Sequence, residues 1–321
     1  MNDGAMLDAM RRGGKQALAK ALSTIERAPA DDATVALLDA AWRAPQGRVI
    51  GLTGPPGVGK STLVDALIRA QRARGETIGV IAVDPSSRKT GGALLGDRTR
   101  LTTDPLDAGV FVRSMAARDS LGGLATLTFP AAVLMRASRD LTLIETVGVG
   151  QSETGVADIA DMTVFCVQPG SGDSLQFMKA GVMETPDLVL VTKSDTGAPA
   201  RRAAADAAGA LSLTVSDRPA PDVLLVSAST GDGVEQALNA IAASGGGGGA
   251  GGGASSPELC NAQARAWLTD VILSEFGRAG LRLAAPILRD EDQLQTPFRL
   301  GRDLLERLQA ALPETLHGAP C

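Results

Sequence analysis

Aromatic residues are scarce in this chain of 321 residues. The sequence holds six Phe, two Trp and no Tyr, so aromatic side chains make up 2% of it. Proteins that bind single-stranded nucleic acid stack the bases on aromatic side chains. The formal net charge of −5 also provides no overall positive field that would attract a polyanion. We therefore expect an aliphatic core and no nucleic-acid partner.

Cysteines and long apolar runs are scarce as well. The three cysteines, Cys166, Cys260 and Cys321, lie far apart, and this spacing favours neither a disulfide framework nor a cysteine-based metal site. No run reaches the ~18–20 apolar residues of a membrane span, and the amino terminus lacks the apolar core of a signal peptide. These absences predict a cytoplasmic protein in a reducing compartment, with no membrane partner.

Hydrophobic periodicity divides the chain into a helical amino-terminal extension, residues 1–46, and an α/β part. In the extension, apolar residues recur at steps of three or four on both sides of a break at Pro29–Asp32. Short, strongly apolar runs follow, which are typical of a parallel sheet covered by helices on both faces. The runs are residues 49–54, 78–84, 110–115, 141–148, 162–170, 188–195 and 223–230. They predict an α/β domain over residues 47–243 with a mainly parallel central sheet flanked by helices.

Glycine dominates the segment after this domain. Residues 244–256 are almost entirely glycine, which leaves few side chains to pack and is typical of a flexible linker. Ser256 and Pro257 then carry the signal for the start of a helix, with Ser256 as its N-cap. Apolar residues at helical spacing continue as far as Leu308. Residues 257–321 are therefore predicted to form a carboxy-terminal helical arm and a frayed tail.

The first apolar run leads into a glycine-rich turn of the form G-x-x-x-x-G-K-S. Gly54, Gly59, Lys60 and Ser61 carry this pattern between a predicted strand and a predicted helix. The backbone N–H groups of such a loop wrap a phosphate, the lysine reaches the β- and γ-phosphates, and the hydroxyl binds Mg²⁺. The sequence therefore predicts a nucleoside triphosphate site. Its loop residues are Gly54, Gly57, Val58, Gly59, Lys60, Ser61 and Thr62.

A second motif indicates which base is bound. The sequence TKSD ends the sixth apolar run and matches the [N/T]-K-x-D pattern of guanine-specific P-loop proteins. Asp195 would accept hydrogen bonds from the N1–H and 2-amino groups of guanine, and Lys193 would lay its aliphatic stem along the base. Thr192 replaces the commoner Asn, which ties the loop more tightly. The residues at the next strand end that would bring a backbone N–H to the guanine oxygen are Ser227, Ala228 and Ser229.

With these motifs in place, the chain resembles the MeaB/ArgK-type GTPases, a family that includes the human methylmalonic aciduria type A protein. The resemblance covers about residues 5–242. It is carried by GLTGPPGVGKST (51–62), VDPSSRKTGGALLGDRTR (83–100), ETVGVGQSE (145–153), PGSGDSLQFMKAG (169–181) and TKSD (192–195). ETVGVGQSE is the most distinctive stretch, because an ordinary GTPase carries Asp-x-x-Gly there. The resemblance implies a P-loop NTPase fold and a Mg²⁺-dependent GTPase that converts GTP to GDP and phosphate.

Members of this family act as chaperones for cobalamin-dependent acyl-CoA mutases, which implies such a mutase as the partner. Methylmalonyl-, isobutyryl- and 2-hydroxyisobutyryl-CoA mutases all have such helpers, so the resemblance leaves the particular mutase open. It also implies a homodimer formed through the carboxy-terminal arm and a cobalamin adenosyltransferase as a further partner. Cobalamin would be met only through the mutase.

The resemblance assigns a site for Mg²⁺ and the γ-phosphate residue by residue. Asp84 and Asp97, in the two parts of the first switch region, would bind or orient Mg²⁺ and its waters beside Ser61. Glu145 would lie behind these ligands as a further carboxylate that supports the metal and the reaction. The backbone N–H of Gly148 would sense the γ-phosphate. Magnesium takes few protein ligands and keeps several waters, which suits carboxylates placed slightly apart.

The position of the group that orients the attacking water departs from the small-GTPase pattern. Small GTPases place a Gln after Asp-x-x-Gly for this purpose, but Val149 occupies that place here. We therefore expect slow hydrolysis by the protein alone and faster hydrolysis when a partner orders the switches. Gln151 is a second candidate for positioning the water. The family's third switch segment, which senses the mutase, matches Asp173, Gln176 and Lys179, and these would share one side of a helix or loop.

Three other functions remain open. A metal-insertion GTPase for a nickel enzyme shares the loop and base motifs but carries histidine or cysteine clusters, whereas His317 is the single histidine here. A small-molecule or protein kinase would transfer the γ-phosphate and would need an acceptor pocket with its own base. A pure binding module would bind GTP without turnover, even beside the mutase.

Overall fold

A parallel β-sheet forms the centre of the protein. The computed structural model describes residues 3–85, 101, 103–117, 126–146, 155–170, 186–212, 220–243 and 256–311. Within them, the strands are β1 (Arg48–Thr53), β2 (Ile78–Pro85), β3 (Val110–Ala117), β4 (Leu141–Glu145), β5 (Met162–Val167), β6 (Leu188–Val191) and β7 (Asp222–Leu225). Their order is β3-β2-β4-β1-β5-β6-β7, and every neighbouring pair is parallel. Each apolar run predicted to be a strand overlaps one, so the predicted parallel sheet is confirmed.

Helices cover both faces of the sheet, as predicted. In the described ranges they are α1 (Asp3–Arg12), α2 (Gly14–Arg27), α3 (Asp32–Arg43), α4 (Lys60–Ala73), α5 (Thr128–Arg136), α6 (Ala198–Ser212), α7 (Val234–Ala243), α8 (Pro257–Leu288) and α9 (Pro297–Ala311). Helices α4 and α7 pack on one face, whereas α1–α3, α5, α8 and α9 pack on the other and α6 covers β5–β7. None of the helices in the described ranges is long and apolar enough to cross a bilayer.

Strands β1, β4, β5 and β6 are buried on both faces because they lie between these helical layers, whereas β7, at the edge of the sheet, is partly exposed. All of β1 is buried, with Val49 in the cluster beneath α1–α3 and with Ile50 and Leu52 in the cluster beneath α4. This alternation follows from the two-residue period of a strand. Gly51 leaves room for a neighbouring side chain, since a Cβ there would lie 2.5 Å from Val156 Cγ2.

Helix α8 begins where the sequence predicts. Ser256 Oγ accepts a hydrogen bond from the Leu259 N–H at 3.2 Å and so caps α8. Helix α8 is kinked at Gly277, where φ is 59°, a conformation that glycine adopts without a Cβ penalty. Leu304 and Leu308 of α9 are buried, as their helical spacing predicts.

Aromatic side chains join the helices of the two chain ends. The ring of Phe129 in α5 lies 5.7 Å from that of Trp42 in α3, 5.3 Å from that of Trp267 in α8 and 5.8 Å from that of Phe298 in α9, measured between centroids. Such ring pairs contribute beyond their buried area. The amino- and carboxy-terminal helices therefore pack together on one face of the sheet. The predicted division into an extension, a linker and an arm stays a prediction, and residues 244–255 lie outside the described residues.

A buried carboxylate connects α3 to the start of α9. Asp39 is fully buried, and its two oxygens accept hydrogen bonds from the backbone N–H groups of Phe298 at 3.1 Å and Arg299 at 3.2 Å. The first N–H groups of a helix have no partner within it, so Asp39 satisfies two of them. Burial raises the pKa of Asp39 from 3.8 to about 6, although both hydrogen bonds and the charges of Arg299 and Arg43 oppose the rise.

Candidate nucleotide-binding site

The candidate site lies at the carboxyl ends of the strands. Strand β1 leads directly into residues 54–59, after which α4 begins at Lys60. Strands β4, β6 and β7 end at Glu145, Val191 and Leu225. Because the strands are parallel, these ends meet at one edge of the sheet, which is where open α/β sheets bind their ligands.

The loop between β1 and α4 has the backbone that its glycines predict. Gly54 has a φ of 137°, and a Cβ there would lie 2.3 Å from the carbonyl oxygen of Cys166 in β5. Gly59, the residue before α4, has a φ of 97° and provides no side-chain cap. The first N–H groups of α4 are therefore not capped by Gly59, and a helix start of this kind binds anions well.

Lys60 and Ser61 open α4 with their side chains at this edge. Lys60 is buried, and its Nζ donates to the carbonyl oxygens of Gly54 at 2.5 Å and Pro55 at 3.1 Å. The ammonium group therefore lies inside the curve of the loop. Ser61 Oγ donates to Oε1 of Glu145, buried at the end of β4, at 2.7 Å. The hydroxyl and the carboxylate predicted from the sequence thus lie together.

Thr192 ties three segments of the site to one another. Its Oγ1 lies 2.7 Å from the carbonyl oxygen of Val58 in the loop and 3.0 Å from that of Val167 at the end of β5. Its backbone N–H donates to the same Val167 oxygen at 2.8 Å. Thr192 is buried. The threonine that replaces the commoner Asn therefore ties the base motif to the loop through its hydroxyl.

Lys193 extends this connection by one residue. Its backbone is left-handed, with a φ of 55°. Its Nζ donates to the carbonyl oxygen of Gly57 at 3.2 Å and to Oε1 of Gln168. The sequence reasoning missed Gln168. A polar residue directly after β5 was the available signal, because β5 and β6 are neighbours in the sheet.

Asp195 is oriented by two serines from the loop after β7. Its Oδ1 accepts a hydrogen bond from Ser227 Oγ at 2.7 Å, and Ser229 Oγ lies 3.5 Å away. The two hydroxyls also lie 2.9 Å apart and bond to each other. The Ser227 hydroxyl is the largest cause that lowers the pKa of Asp195, followed by a backbone N–H. The carboxylate is therefore ionised at neutral pH and points in a defined direction.

The phosphate loop and the base motif border one cavity of about 180 Å³. Its lining residues are Val58, Gly59, Thr62, Leu63, Thr192, Lys193, Asp195, Val226, Ala228 and Ser229. The apolar members suit the faces of a flat base, while Asp195 provides an acceptor at its edge. Leu63 and Val226 were not predicted from the sequence. A larger cavity of about 450 Å³ lies between the end of α8 and α9, and no predicted site residue lines it.

Of the remaining predicted site residues, the structure describes only the backbone of Asp84. Asp84 lies in β2, in register with Ala116 of β3, but its side chain is outside the description. The other predicted residues that lie outside the described residues are Asp97, Gly148, Gln151, Asp173, Gln176 and Lys179. Their assigned roles stay predictions.

Within the described ranges, no group of three or more His, Cys, Asp or Glu residues could hold a metal ion. Ser61 and Glu145 provide a hydroxyl and a carboxylate side by side. Both are hard oxygen donors, and Mg²⁺ accepts one or two protein groups together with waters. This pair therefore fits Mg²⁺.

A phosphate loop and a base motif around one cavity, at the edge of a parallel sheet, define a P-loop nucleotide-binding protein. Residues 18–270 match the model of one family of this class, described as "Methylmalonyl Co-A mutase-associated GTPase MeaB". The chain belongs to this family, and the resemblance stated from the sequence motifs is confirmed.

Individual relatives agree with the family. A Pyrococcus horikoshii protein that carries only a provisional GTPase name is 44% identical over 191 residues, which are 59% of this chain and 60% of that protein. The mouse methylmalonic aciduria type A homolog, mitochondrial, is 43% identical over 192 residues, or 58% of this chain and 46% of the mouse protein. A crystal structure described as LAO/AO transport system kinase has a TM-score of 0.63 and 25% identity, and the match covers 96% of this chain and 98% of that one. The chain thus matches less than two thirds of the length of the Pyrococcus and mouse relatives.

Proposed function

We propose that this protein binds GTP, hydrolyses it to GDP and phosphate, and thereby assists a cobalamin-dependent acyl-CoA mutase. The description of the matching family, a methylmalonyl-CoA mutase-associated GTPase, supports both the nucleotide and the kind of partner. The name of the mouse relative also refers to methylmalonic aciduria. Methylmalonyl-, isobutyryl- and 2-hydroxyisobutyryl-CoA mutases are the candidate partners.

The observation that carries the nucleotide assignment is the orientation of Asp195. Asp195 lines the 180 Å³ cavity, and its carboxylate is held by the hydroxyl of Ser227. An ionised carboxylate accepts two hydrogen bonds side by side, and guanine presents N1–H and its 2-amino group side by side. Adenine has an acceptor at N1 and no 2-amino group. Guanine is therefore the purine that this edge of the cavity favours.

The phosphate loop, two residues of which line the cavity, would provide the groups for phosphate. Residues 54–59 would wrap the phosphates with backbone N–H groups, and Lys60 would place its charge on them. Ser61 and Glu145 would hold Mg²⁺, which neutralises charge on the β- and γ-phosphate oxygens when it is bound. Hydrolysis by this set alone is proposed to be slow, with Gln151 as the candidate for orienting the water.

The partner would act through the switch segments. We place Asp84, Asp97 and Gly148 around the metal and γ-phosphate, so that these segments are ordered with GTP and released after hydrolysis. Asp173, Gln176 and Lys179 would sense the mutase and speed the reaction. The two nucleotide states would then differ in their contact with the mutase and so gate its loading with cofactor. A homodimer, a cobalamin adenosyltransferase as a further partner and a cytoplasmic location complete the proposal.

GTP turnover with and without candidate mutases tests this function. Phosphate release is measured for the protein alone and with each mutase, loaded and unloaded with cobalamin. One mutase should raise turnover at least several-fold. Lys60→Ala provides the control for contaminating activity, because loss of the ammonium should remove turnover in every mixture. Unchanged turnover with every mutase would contradict the chaperone role, and a wild-type rate equal to that of Lys60→Ala would contradict hydrolysis.

A kinase is a second candidate, because the solved structure with a TM-score of 0.63 is described as a transport system kinase. A kinase would move the γ-phosphate of GTP to an acceptor instead of water. Incubation with γ-labelled GTP separates the two functions. Label in free phosphate favours the GTPase, whereas label on a protein or small molecule would favour the kinase.

A further inference from the structure

Two consecutive residues of the base motif, Thr192 and Lys193, each contact both the phosphate loop and the residues at the end of β5. Thr192 binds the carbonyl oxygens of Val58 and Val167 through its hydroxyl. Lys193 binds the carbonyl oxygen of Gly57 and the side-chain oxygen of Gln168 through its ammonium group. The base motif is therefore connected to the phosphate loop and to the end of β5 by two successive sets of hydrogen bonds.

The first set fixes the backbone from which Gln168 extends. The carbonyl oxygen of Val167 accepts both the N–H of Thr192 at 2.8 Å and its hydroxyl at 3.0 Å. Gln168 follows directly, so its distance from Lys193 is set by buried contacts rather than by a mobile loop. Gln168 is itself half-buried, whereas Lys193 is exposed.

The ammonium of Lys193 is then held at its far end from two sides. Gly57 contributes a backbone acceptor and Gln168 a side-chain acceptor, and Lys193 is one of the residues that line the 180 Å³ cavity. An exposed lysine has many rotamers, and their loss opposes any fixed position of its stem. Two acceptors for the ammonium reduce the number of positions that the stem can adopt away from the cavity.

We propose that Gln168 is a positioning residue of the guanine site, which holds the stem of Lys193 along the face of the base. This inference rests on the proposed guanine nucleotide function and adds a residue to that site. Gln168 would not touch the nucleotide itself. Because the stem covers a purine face without reading its edge, Gln168 would slow release of the base and leave the choice of guanine to Asp195.

The test is the release rate of a fluorescent GDP analogue. Gln168→Leu keeps the size of the side chain and removes the acceptor. It should speed release about 3–10-fold, less than the loss of a direct bond to a charged group, because Gln168 acts on the base only through an exposed lysine. Gln168→Glu restores an acceptor and should release GDP at close to the wild-type rate. Gln309→Leu, an exposed substitution in α9, is the matched control and should leave release unchanged.

A double-mutant cycle shows whether Gln168 acts through Lys193. In a Lys193→Met background, which keeps most of the stem and removes the ammonium, Gln168→Leu should have no further effect. Competition by pyrophosphate should be the same for wild type and Gln168→Leu, because the phosphate loop keeps its own contacts.

Each contrary result has a distinct meaning. Three results would each overturn the positioning role and leave the proposed function standing. The first is a wild-type release rate in Gln168→Leu, and the second is an effect of Gln168→Leu that is as large in the Lys193→Met background as in the wild type. The third is a loss of pyrophosphate binding in Gln168→Leu that parallels the faster release. A wild-type protein that fails to bind the GDP analogue would overturn both.

Discussion

The exchange Asp195→Asn should change which nucleotide this protein binds. Ser227 Oγ donates to Asp195 Oδ1 at 2.7 Å, and an Asn side-chain oxygen can accept the same bond. The cavity should therefore keep its shape. At the edge of the base, however, the Asn amide would present one acceptor and one donor where the carboxylate presents two acceptors.

The expected loss follows from two hydrogen bonds. Each bond from guanine to an ionised carboxylate corresponds to roughly 10–100-fold in affinity. Asp195→Asn loses the charge, and its amide N–H₂ faces a guanine donor, so the dissociation constant for GTP should rise about 10²–10⁴-fold. Xanthine carries a carbonyl oxygen where guanine carries the 2-amino group. Affinity for XTP should therefore increase in the same variant.

Titration with fluorescent guanine, xanthine and adenine nucleotides measures these ratios. Asp232→Asn is the matched control, because Asp232 belongs to the same loop but bonds to Thr230 and does not line the cavity. It should leave all three affinities unchanged. If Asp195→Asn kept the wild-type preference for GTP over both XTP and ATP, the assignment of the base site would be refuted.

Two further predictions concern the helices that cover one face of the sheet. The pKa rise of Asp39 from 3.8 to about 6 corresponds to about 3 kcal/mol against the ionised folded state. As the pH rises, the unfolded chain loses the proton of Asp39 before the folded chain does. From pH ~4 to ~6, the free energy of unfolding of the wild type should therefore fall relative to that of Asp39→Asn. Urea unfolding of both proteins at several pH values measures this, and parallel curves would contradict it. Trp267→Ala removes a ring stacked on Phe129 and a hydrogen bond to the Thr126 carbonyl oxygen, and should reduce the free energy of unfolding by about 2–4 kcal/mol, since the ring is only partly buried. Trp267→Phe should recover about half of this loss. Equal free energies of unfolding for the wild type and Trp267→Ala would show that the ring contacts contribute nothing.

Much of the fold could be predicted because its signals are local. A buried parallel strand requires an apolar run, and each predicted run overlaps a strand. The break between Arg27 and Asp32 and the cap at Ser256 likewise depend on a few neighbouring residues. The phosphate loop was readable for the same reason, since Gly54 and Gly59 need backbone angles that other residues rarely adopt.

The candidate site was predictable only as far as its motifs extend. Lys60, Ser61 and Asp195 were found because their spacing identifies them, and the structure brings them to one edge of the sheet. Gln168 belongs to no motif and was missed, because its contact to Lys193 depends on β5 and β6 being neighbours. Thr192 stands where Asn is commoner, so the sequence predicted that the base motif is held less tightly to the loop. The structure shows that the Thr192 hydroxyl reaches both neighbouring segments.

By itself, the sequence determined the kind of elements, the candidate phosphate loop and the candidate base motif. These depend on residues a few positions apart, whose backbone preferences and side-chain periods act before any tertiary contact forms. Only the tertiary structure decided the strand order and the partners of the polar groups at the ends of the elements. Asp39 meets Phe298 across 259 positions of sequence, because chain segments that bury their apolar faces on the same sheet are brought together however far apart they lie in the chain.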